Sequence, residues 1–224
     1  MKIINNFKLA PSILSADFSN LQSALEICKK GGADWIHIDV MDNQFVPNLT
    51  IGPPVLKSLR SKTEKFMDVH MMVIDPEKLV EPFARAGADN ITFHLEATDD
   101  PNGVIDLIHS CGCKAGISIK PKTSINDVLP FLDKVDVVLL MTVEPGFGGQ
   151  GYIKGSNQRI KKIKSFLNQN CLDNVLIEVD GGVKLHNAKE VIDSGANILV
   201  AGSEVFNAKD PIKTIKDFYQ LSKS

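Results

Sequence analysis

No sign of charge dominates this chain: 25 lysines and arginines face 27 aspartates and glutamates, for a formal net charge of −2. Neither nucleic acid nor a membrane surface is therefore an expected partner. No apolar run approaches the roughly 18 residues a membrane span requires, and Met1 to Asn20 has no uninterrupted apolar stretch of signal-peptide length. The expected setting is the cytoplasm. The four cysteines, Cys28, Cys111, Cys113 and Cys171, are spaced for neither a disulfide framework nor a zinc knuckle, which leaves free thiols in a reducing compartment. No Pro/Ser linker, composition break or low-complexity tract divides the chain, so residues 1–224 are expected to form one domain.

What is present is an alternation of short apolar runs with longer amphipathic ones. Strands are expected at Leu9–Leu14, Trp35–Val40, Phe66–Met71, Asn90–Leu95, Lys114–Ile119, Val137–Met141, Val175–Val179 and Ile198–Ala201. Between them run segments of helical period, such as Asn20 to Cys28 and Leu185 to Ile192, often closed by a glycine as in Gly31-Gly32-Ala33, Ala86-Gly87-Ala88 and Ser194-Gly195-Ala196. Strands separated by helices pair in parallel, and eight such units close naturally into an α/β fold, a single-domain (β/α)8 or TIM barrel. An open doubly wound sheet is the alternative. Parity favours closure: Ser12, His37, Asp39, Asp68, His70, Thr92, His94, Glu96, Ser118, Glu178 and Asp180 share one phase of their strands, and aliphatic residues such as Ile38, Val69, Ile117 and Val179 share the other. Polar groups from so many strands converge only if the sheet wraps around them. Of the two glycosylation-type triplets, Asn90-Ile91-Thr92 falls inside an expected buried strand, and neither carries weight.

His37, Asp39, His70 and Asp180 are expected at the carboxyl ends of their strands, the rim where barrels place chemistry. Two imidazoles and two carboxylates suit one divalent ion, whether zinc, ferrous iron, manganese or cobalt. A hydrogen-bonded polar network without metal is the alternative, although clustered buried carboxylates need some compensation. Such a site can hold the oxyanion that forms when a carbon next to a carbonyl loses its proton. If Asp39 and Asp180 lie on opposite faces of a bound substrate, one can remove a proton and the other return one, inverting that carbon without a redox or nucleotide cofactor.

Glycines point to an anion. Gly146, Phe147, Gly148 and Gly149 follow the sixth strand, Gly181 and Gly182 the seventh, and Gly202 and Ser203 the eighth, where barrels bind phosphate esters against exposed backbone. Turn-making alone is the bland reading of any one loop. The dinucleotide spacing at Gly146, Gly148 and Gly151 lacks the strand–helix context that pattern needs, so it is set aside. Met41, Met72 and Met141 end three strands in the inward phase and are read either as an apolar lid over the substrate or as gap fillers. His94 and Glu96 are placed to support the ligands through hydrogen bonds. His109 and His186 are expected in solvent, and the run Arg159 to Lys164 on the exposed side of a helix.

Several motifs in order, Leu9-Ala10-Pro11-Ser12-Ile13-Leu14-Ser15-Ala16-Asp17-Phe18, His37-Ile38-Asp39-Val40-Met41-Asp42, Phe45-Val46-Pro47-Asn48, Asp68-Val69-His70-Met71-Met72, Val143 to Gln150 and Glu178-Val179-Asp180-Gly181-Gly182, resemble the ribulose-phosphate 3-epimerase family, from about Ala10 to Phe206. The resemblance implies a barrel of the ribulose-phosphate-binding type. It also implies an isomerase that interconverts D-ribulose 5-phosphate and D-xylulose 5-phosphate through a cis-enediolate. By position, His37, Asp39, His70 and Asp180 match the family's metal ligands, with Asp39 and Asp180 as the acid–base pair. Ser12 and His70 match substrate contacts; Gly146 to Gly149, Gly181, Gly182, Gly202 and Ser203 match the phosphate loops; Met41, Met72 and Met141 match the methionines over the reacting centre. A homo-oligomer is implied as well, often a dimer. Three rivals remain: an epimerase of a six-carbon ketose phosphate such as allulose 6-phosphate, a metal-dependent hydrolase, and a phosphate-binding protein without catalysis.

Overall fold

A computed structural model describes residues 7–221; the first six and last three residues lie outside it. Its strands are β1 (Lys8–Ala10), β2 (Trp35–Met41), β3 (Phe66–Met72), β4 (Asn90–His94), β5 (Lys114–Ile119), β6 (Val137–Met141), β7 (Leu176–Asp180) and β8 (Ile198–Val200). They pair in parallel in the order β1-β8-β7-β6-β5-β4-β3-β2. The two ends of that order meet. Asp34 N–H donates to Leu9 O and His37 N–H to Pro11 O, each at 3.1 Å, and Ser12 bridges to His37. The sheet is therefore a ring, and the open doubly wound alternative is excluded.

The expected first strand, Leu9–Leu14, is overturned beyond Ala10. Pro11 brings no N–H to a ladder, and the Ser12 side chain accepts the Leu14 N–H at 3.3 Å, capping a 3-10 turn over Ile13–Ser15. Leu95 likewise starts a 3-10 turn, Leu95–Ala97, instead of ending β4. β7 begins one residue later than expected and runs on to Asp180, within the usual uncertainty of strand ends.

The helices are α1 (Leu21–Gly31), α2 (Pro53–Arg60), α3 (Glu77–Ala86), α4 (Pro101–Ser110), α5 (Ile125–Val128), α6 (Ser156–Gln169), α7 (Leu185–Asp193), α8 (Ser203–Phe206) and α9 (Pro211–Gln220). Local chemistry sets their ends. Asn20 accepts the Ser23 N–H to start α1, and Gly32, at φ +86°, closes it in the left-handed conformation that glycine adopts without strain. The outward faces of the strands, including Ile36, Ile38, Val69, Ile91, Phe93, Ile117, Val138, Val179 and Leu199, pack with the helices into the main core. Each fully buried side chain of this kind contributes roughly 1.5–3 kcal/mol.

Inside the ring the side chains form tiers. Low in the ring, Ala10, Trp35, Val137 and Ile198 make an apolar plug joined by Phe66 and Leu176, which Val200 extends up to the cleft. The Trp35 and Phe66 rings stack at 4.2 Å. Above the plug the inward polar residues His37, Asp39, Asp68, His70, Thr92, His94, Ser118 and Glu178 are buried, with Asn90 beside them, while Glu96 stands exposed on the rim. Gly116 leaves room for this tier, since a Cβ there would lie 2.0 Å from Thr92 Oγ1.

Two surface expectations need correction. His109 is exposed but not merely solvated, because its Nε2 pairs with Asp136 at 3.2 Å. Arg159 does not sit on an open helix face. Its guanidinium turns inward and donates to the carbonyls of Pro121 at 2.6 Å, Thr123 at 2.8 Å and Lys120 at 3.0 Å. A planar fork of donors gathers the three carbonyls of one turn. His186 is exposed as expected, and all four cysteines are free thiols.

Candidate active site

Strand register brings His37, Asp39, His70 and Asp180 together. Asp39 pairs across the sheet with His70, and His37 with Asp68. Asp180 arrives from β7, which is separated from β2 by β8 and β1. Three steps around an eight-membered ring is nearly the opposite wall, so the two aspartates reach one point from facing sides. One ligand atom from each of the four residues lies within 4.8 Å of the others.

The hydrogen bonds assign the atoms. His37 Nε2 is 3.4 Å from Asp39 Oδ1 and 3.9 Å from Asp180 Oδ2. It is fully buried and has no hydrogen-bond partner. His70 Nδ1 faces the same two oxygens at 3.2 and 3.6 Å. Its Nε2 meets His94 Nε2 at 2.9 Å, and His94 Nδ1 donates to Glu96 at 3.3 Å. That chain leaves His70 Nδ1 pointing at the carboxylates. The other oxygen of Asp39, Oδ2, accepts from the Ser12 hydroxyl at 2.5 Å.

Electrostatics match this arrangement. Burial opposes charge on His70, but the Asp180 and Asp39 carboxylates outweigh it and raise the imidazole to about 9. On His37 burial is likewise outweighed, by Asp39 and Asp68, and the ring is pushed well above its ordinary value. Burial disfavours a charged Asp39 too, yet the two histidines hold its carboxyl far below the usual range. His94 goes the other way: burial lowers it to about 4, so it is neutral and can accept at Nε2. A field that draws protons onto two imidazoles draws a divalent cation as well. The residues fit such an ion: they are two nitrogens and two carboxylate oxygens, one nitrogen is orphaned, and the spacing is close to that of ligands at ~2.0–2.2 Å from a common centre.

Above this cluster opens a narrow cleft with about 50 Å3 of free space. Ser12, Asp39, Met41, Met72, Met141, Gly146, Phe147, Gly148, Gly149, Asp180, Gly181, Gly182, Gly202 and Ser203 all line it. His37 and His70 do not, being fully buried in its floor. The methionines form two walls: Met41 and Met72 pack with Val46, Leu14 and Phe45, while Met141 packs with Leu139 and Val143.

The glycine loops stand on the wall of β6 to β8 and interlock. A Cβ on Gly182, at φ +67°, would lie 2.4 Å from the Tyr152 backbone nitrogen. Thr142 Oγ1 lies 2.9 Å from Asp180 O and 2.5 Å from Gly181 O, its one hydroxyl hydrogen placed between the two carbonyls, which ties the sixth loop to the seventh. Asn48 Nδ2 donates to Gly146 O at 2.8 Å from across the mouth.

Sequence reasoning assigned no role to Ser15, whose Oγ would be 2.7 Å from a Cβ on Gly202 and 3.3 Å from one on Gly148. Its place three residues after Ser12 in the same motif was the available signal. Nor did it assign one to Asp68, Asn90 or Glu178 beneath the cluster. Asp68 Oδ2 accepts from His37 Nδ1 at 2.6 Å, and its Oδ1 accepts from Asn90 Nδ2 at 2.7 Å. Burial, then the charge of Asp68, pushes the Glu178 carboxyl well above its ordinary value.

Known proteins agree with this geometry. Residues 8–206 match the Ribulose-phosphate 3 epimerase family. The chain belongs to that family. The ribulose-phosphate 3-epimerase of Buchnera aphidicola subsp. Schizaphis graminum is 47% identical over 208 residues, covering 92% of this chain and 91% of that one. The Bacillus subtilis enzyme of the same name is 46% identical over 210 residues, with 94% and 97% covered. Among solved structures, KGPDC from Streptococcus mutans superposes with a TM-score of 0.72 at 16% identity over 97% of both chains. Orotidine 5'-phosphate decarboxylase from Pyrococcus horikoshii gives 0.68 at 17% identity, with 96% and 98% covered. These two structural likenesses speak for the barrel alone.

Proposed function

We propose that this epimerase-family chain interconverts D-ribulose 5-phosphate and D-xylulose 5-phosphate by inverting C3, with Asp39 and Asp180 as the two proton-transfer groups. The reading is carried by one observation: two carboxylates reach a single point from nearly opposite walls of the ring. The phosphate lies against the backbone of Gly146 to Gly149, Gly181, Gly182, Gly202 and Ser203, which stand together on one side of the cleft. That fixes the sugar with its C2 and C3 over the buried cluster.

Asp39 is charged and ready to accept a proton, and the Ser12 hydroxyl fixes its Oδ2. It takes the C3 proton, and the C–H electron pair becomes the C2–C3 double bond as the C2 carbonyl π pair moves onto its oxygen, giving the cis-enediolate. Asp180 then delivers a proton to the opposite face of C3, and the roles exchange in the reverse direction. His37, Asp39, His70 and Asp180 would hold a divalent cation, zinc, ferrous iron, manganese or cobalt, which when bound supplies positive charge to the sugar's oxygens. The Met41–Met72 and Met141 walls keep water from the planar carbon, so the proton comes from the carboxyl group. Ser12 and His70 are the remaining substrate-side contacts in this reading, the second from the floor. Neither a nucleotide nor a nucleic acid takes part. The working form is a cytoplasmic homo-oligomer of single-barrel chains, checked by sedimentation.

Turnover of ribulose 5-phosphate in D2O by metal-loaded protein tests the scheme. Xylulose 5-phosphate carrying deuterium at C3 alone is expected. Product without deuterium, or with deuterium at C1, would remove the assignment. A six-carbon ketose phosphate is the second reading, and a higher kcat/KM for allulose 6-phosphate would favour it.

A further inference from the structure

Nothing in the proton-transfer scheme uses Asp68, yet it makes one of the shortest contacts to a metal-ligand histidine. We infer that Asp68 is a positioning residue: it holds the proton of His37 on Nδ1 and thereby turns the Nε2 lone pair toward the divalent-cation site. The inference rests on the metal-site reading above and extends it to a residue outside the cleft.

The geometry carries it. Imidazole has two nitrogens, and the partner of one decides which form the other takes. His37 Nδ1 lies 2.6 Å from Asp68 Oδ2, well inside hydrogen-bond range, whereas Glu178 Oε1 is 3.4 Å from the same nitrogen. An ionised carboxylate only accepts, so Nδ1 must carry the hydrogen. His37 Nε2, the atom that faces Asp39 and Asp180 without a partner of its own, is then the nitrogen that gives up its proton to offer a lone pair to a cation. Asp68 cannot drift, because Asn90 Nδ2 donates to its Oδ1 at 2.7 Å and to Thr92 Oγ1 at 2.9 Å. All four of these side chains are fully buried. A carboxylate behind a ligand histidine fixes the ring and strengthens the nitrogen as a donor, an effect typically worth 10- to 100-fold in metal affinity. The second ligand histidine is backed differently, through neutral His94 and then Glu96. The two imidazoles are thus committed to opposite nitrogens, Nε2 for His37 and Nδ1 for His70.

Zinc binding to the metal-free full chain, measured by competition with a chromophoric chelator, tests this together with proton NMR of the zinc-loaded protein. Asp68→Leu keeps the branched shape at a larger volume and removes the acceptor. It should weaken zinc binding about 10- to 100-fold and abolish the downfield His37 Nδ1–H resonance expected of the parent. Asp68→Asn, which can still accept but carries no charge, should lose less affinity and retain the resonance, and it serves if the leucine variant does not fold. Glu178→Gln alters the same buried tier without touching the 2.6 Å bond, and it should stay within about threefold of the parent with the resonance intact. Zinc affinity unchanged in both Asp68 variants, or an equal loss in Glu178→Gln, would overturn the role of Asp68. Failure of the parent chain itself to bind zinc would instead overturn the metal site, and this role with it.

Discussion

The two ends of the barrel interior are built by the same strands on the same inward parity, and they do opposite work. At the amino end Trp35 stacks on Phe66 among Ala10, Val137 and Ile198, with no buried charge to satisfy. Two and four residues further along the same strands stand His37, Asp39, Asp68 and His70, all buried and held by one another. The lower tier gives stability through packing alone. The upper tier spends stability on buried carboxylates whose reward lies in chemistry.

The widest separation between the tiers should come from isosteric changes at the rim. Asp39→Asn and Asp180→Asn should each lower kcat by about 10²- to 10⁴-fold, the range for removing a positioned acid or base. Near-parent turnover in either variant would break the contrast and its assigned role.

The converse change is Trp35→Ala, which should cost about 3–5 kcal/mol of stability by opening a cavity in the plug. Activity per folded molecule should hardly move. Urea denaturation paired with active-site-normalised rates measures both, and a large fall in specific activity would show that the plug shapes the site.

The smallest effect sits at the rim's edge. Burial opposes charge on Glu96, but hydrogen bonds from His94, Thr123 Oγ1 and the Lys120 N–H outweigh it and bring the carboxyl to about 2, below its ordinary 4.5. A depressed carboxyl adds stability that is complete above its unfolded value and is lost as pH falls toward the folded one. Glu96→Gln should therefore be slightly less stable at neutral pH, and the gap should close between about pH 4.5 and pH 2. Thermal melts across that range read it. A gap that persists at the acid end would mean shape, not charge, accounts for the difference.

Much of this was legible in the residues themselves. Alternation placed seven of the eight strands within a residue or so, because parallel strands covered by helices must be aliphatic on the outward face, as Ile38, Val69 and Val179 are. Parity also marked which polar side chains look inward. It could not say how high each one stands, since height depends on the stagger between strands. That is why Asp68 and Glu178 were seen as inward but not as the layer beneath His37. The first strand was misjudged because its ending depends on a side chain, Ser12, turning back to cap its own chain. Arg159 was misread because charge runs say nothing about carbonyls waiting on another loop.

The plug at the foot of the ring bars the way to the cleft from that end. Substrate and product must pass through the same mouth in turn, so one ketose cannot enter until the other has left, and accumulation of either sugar slows the traffic of both.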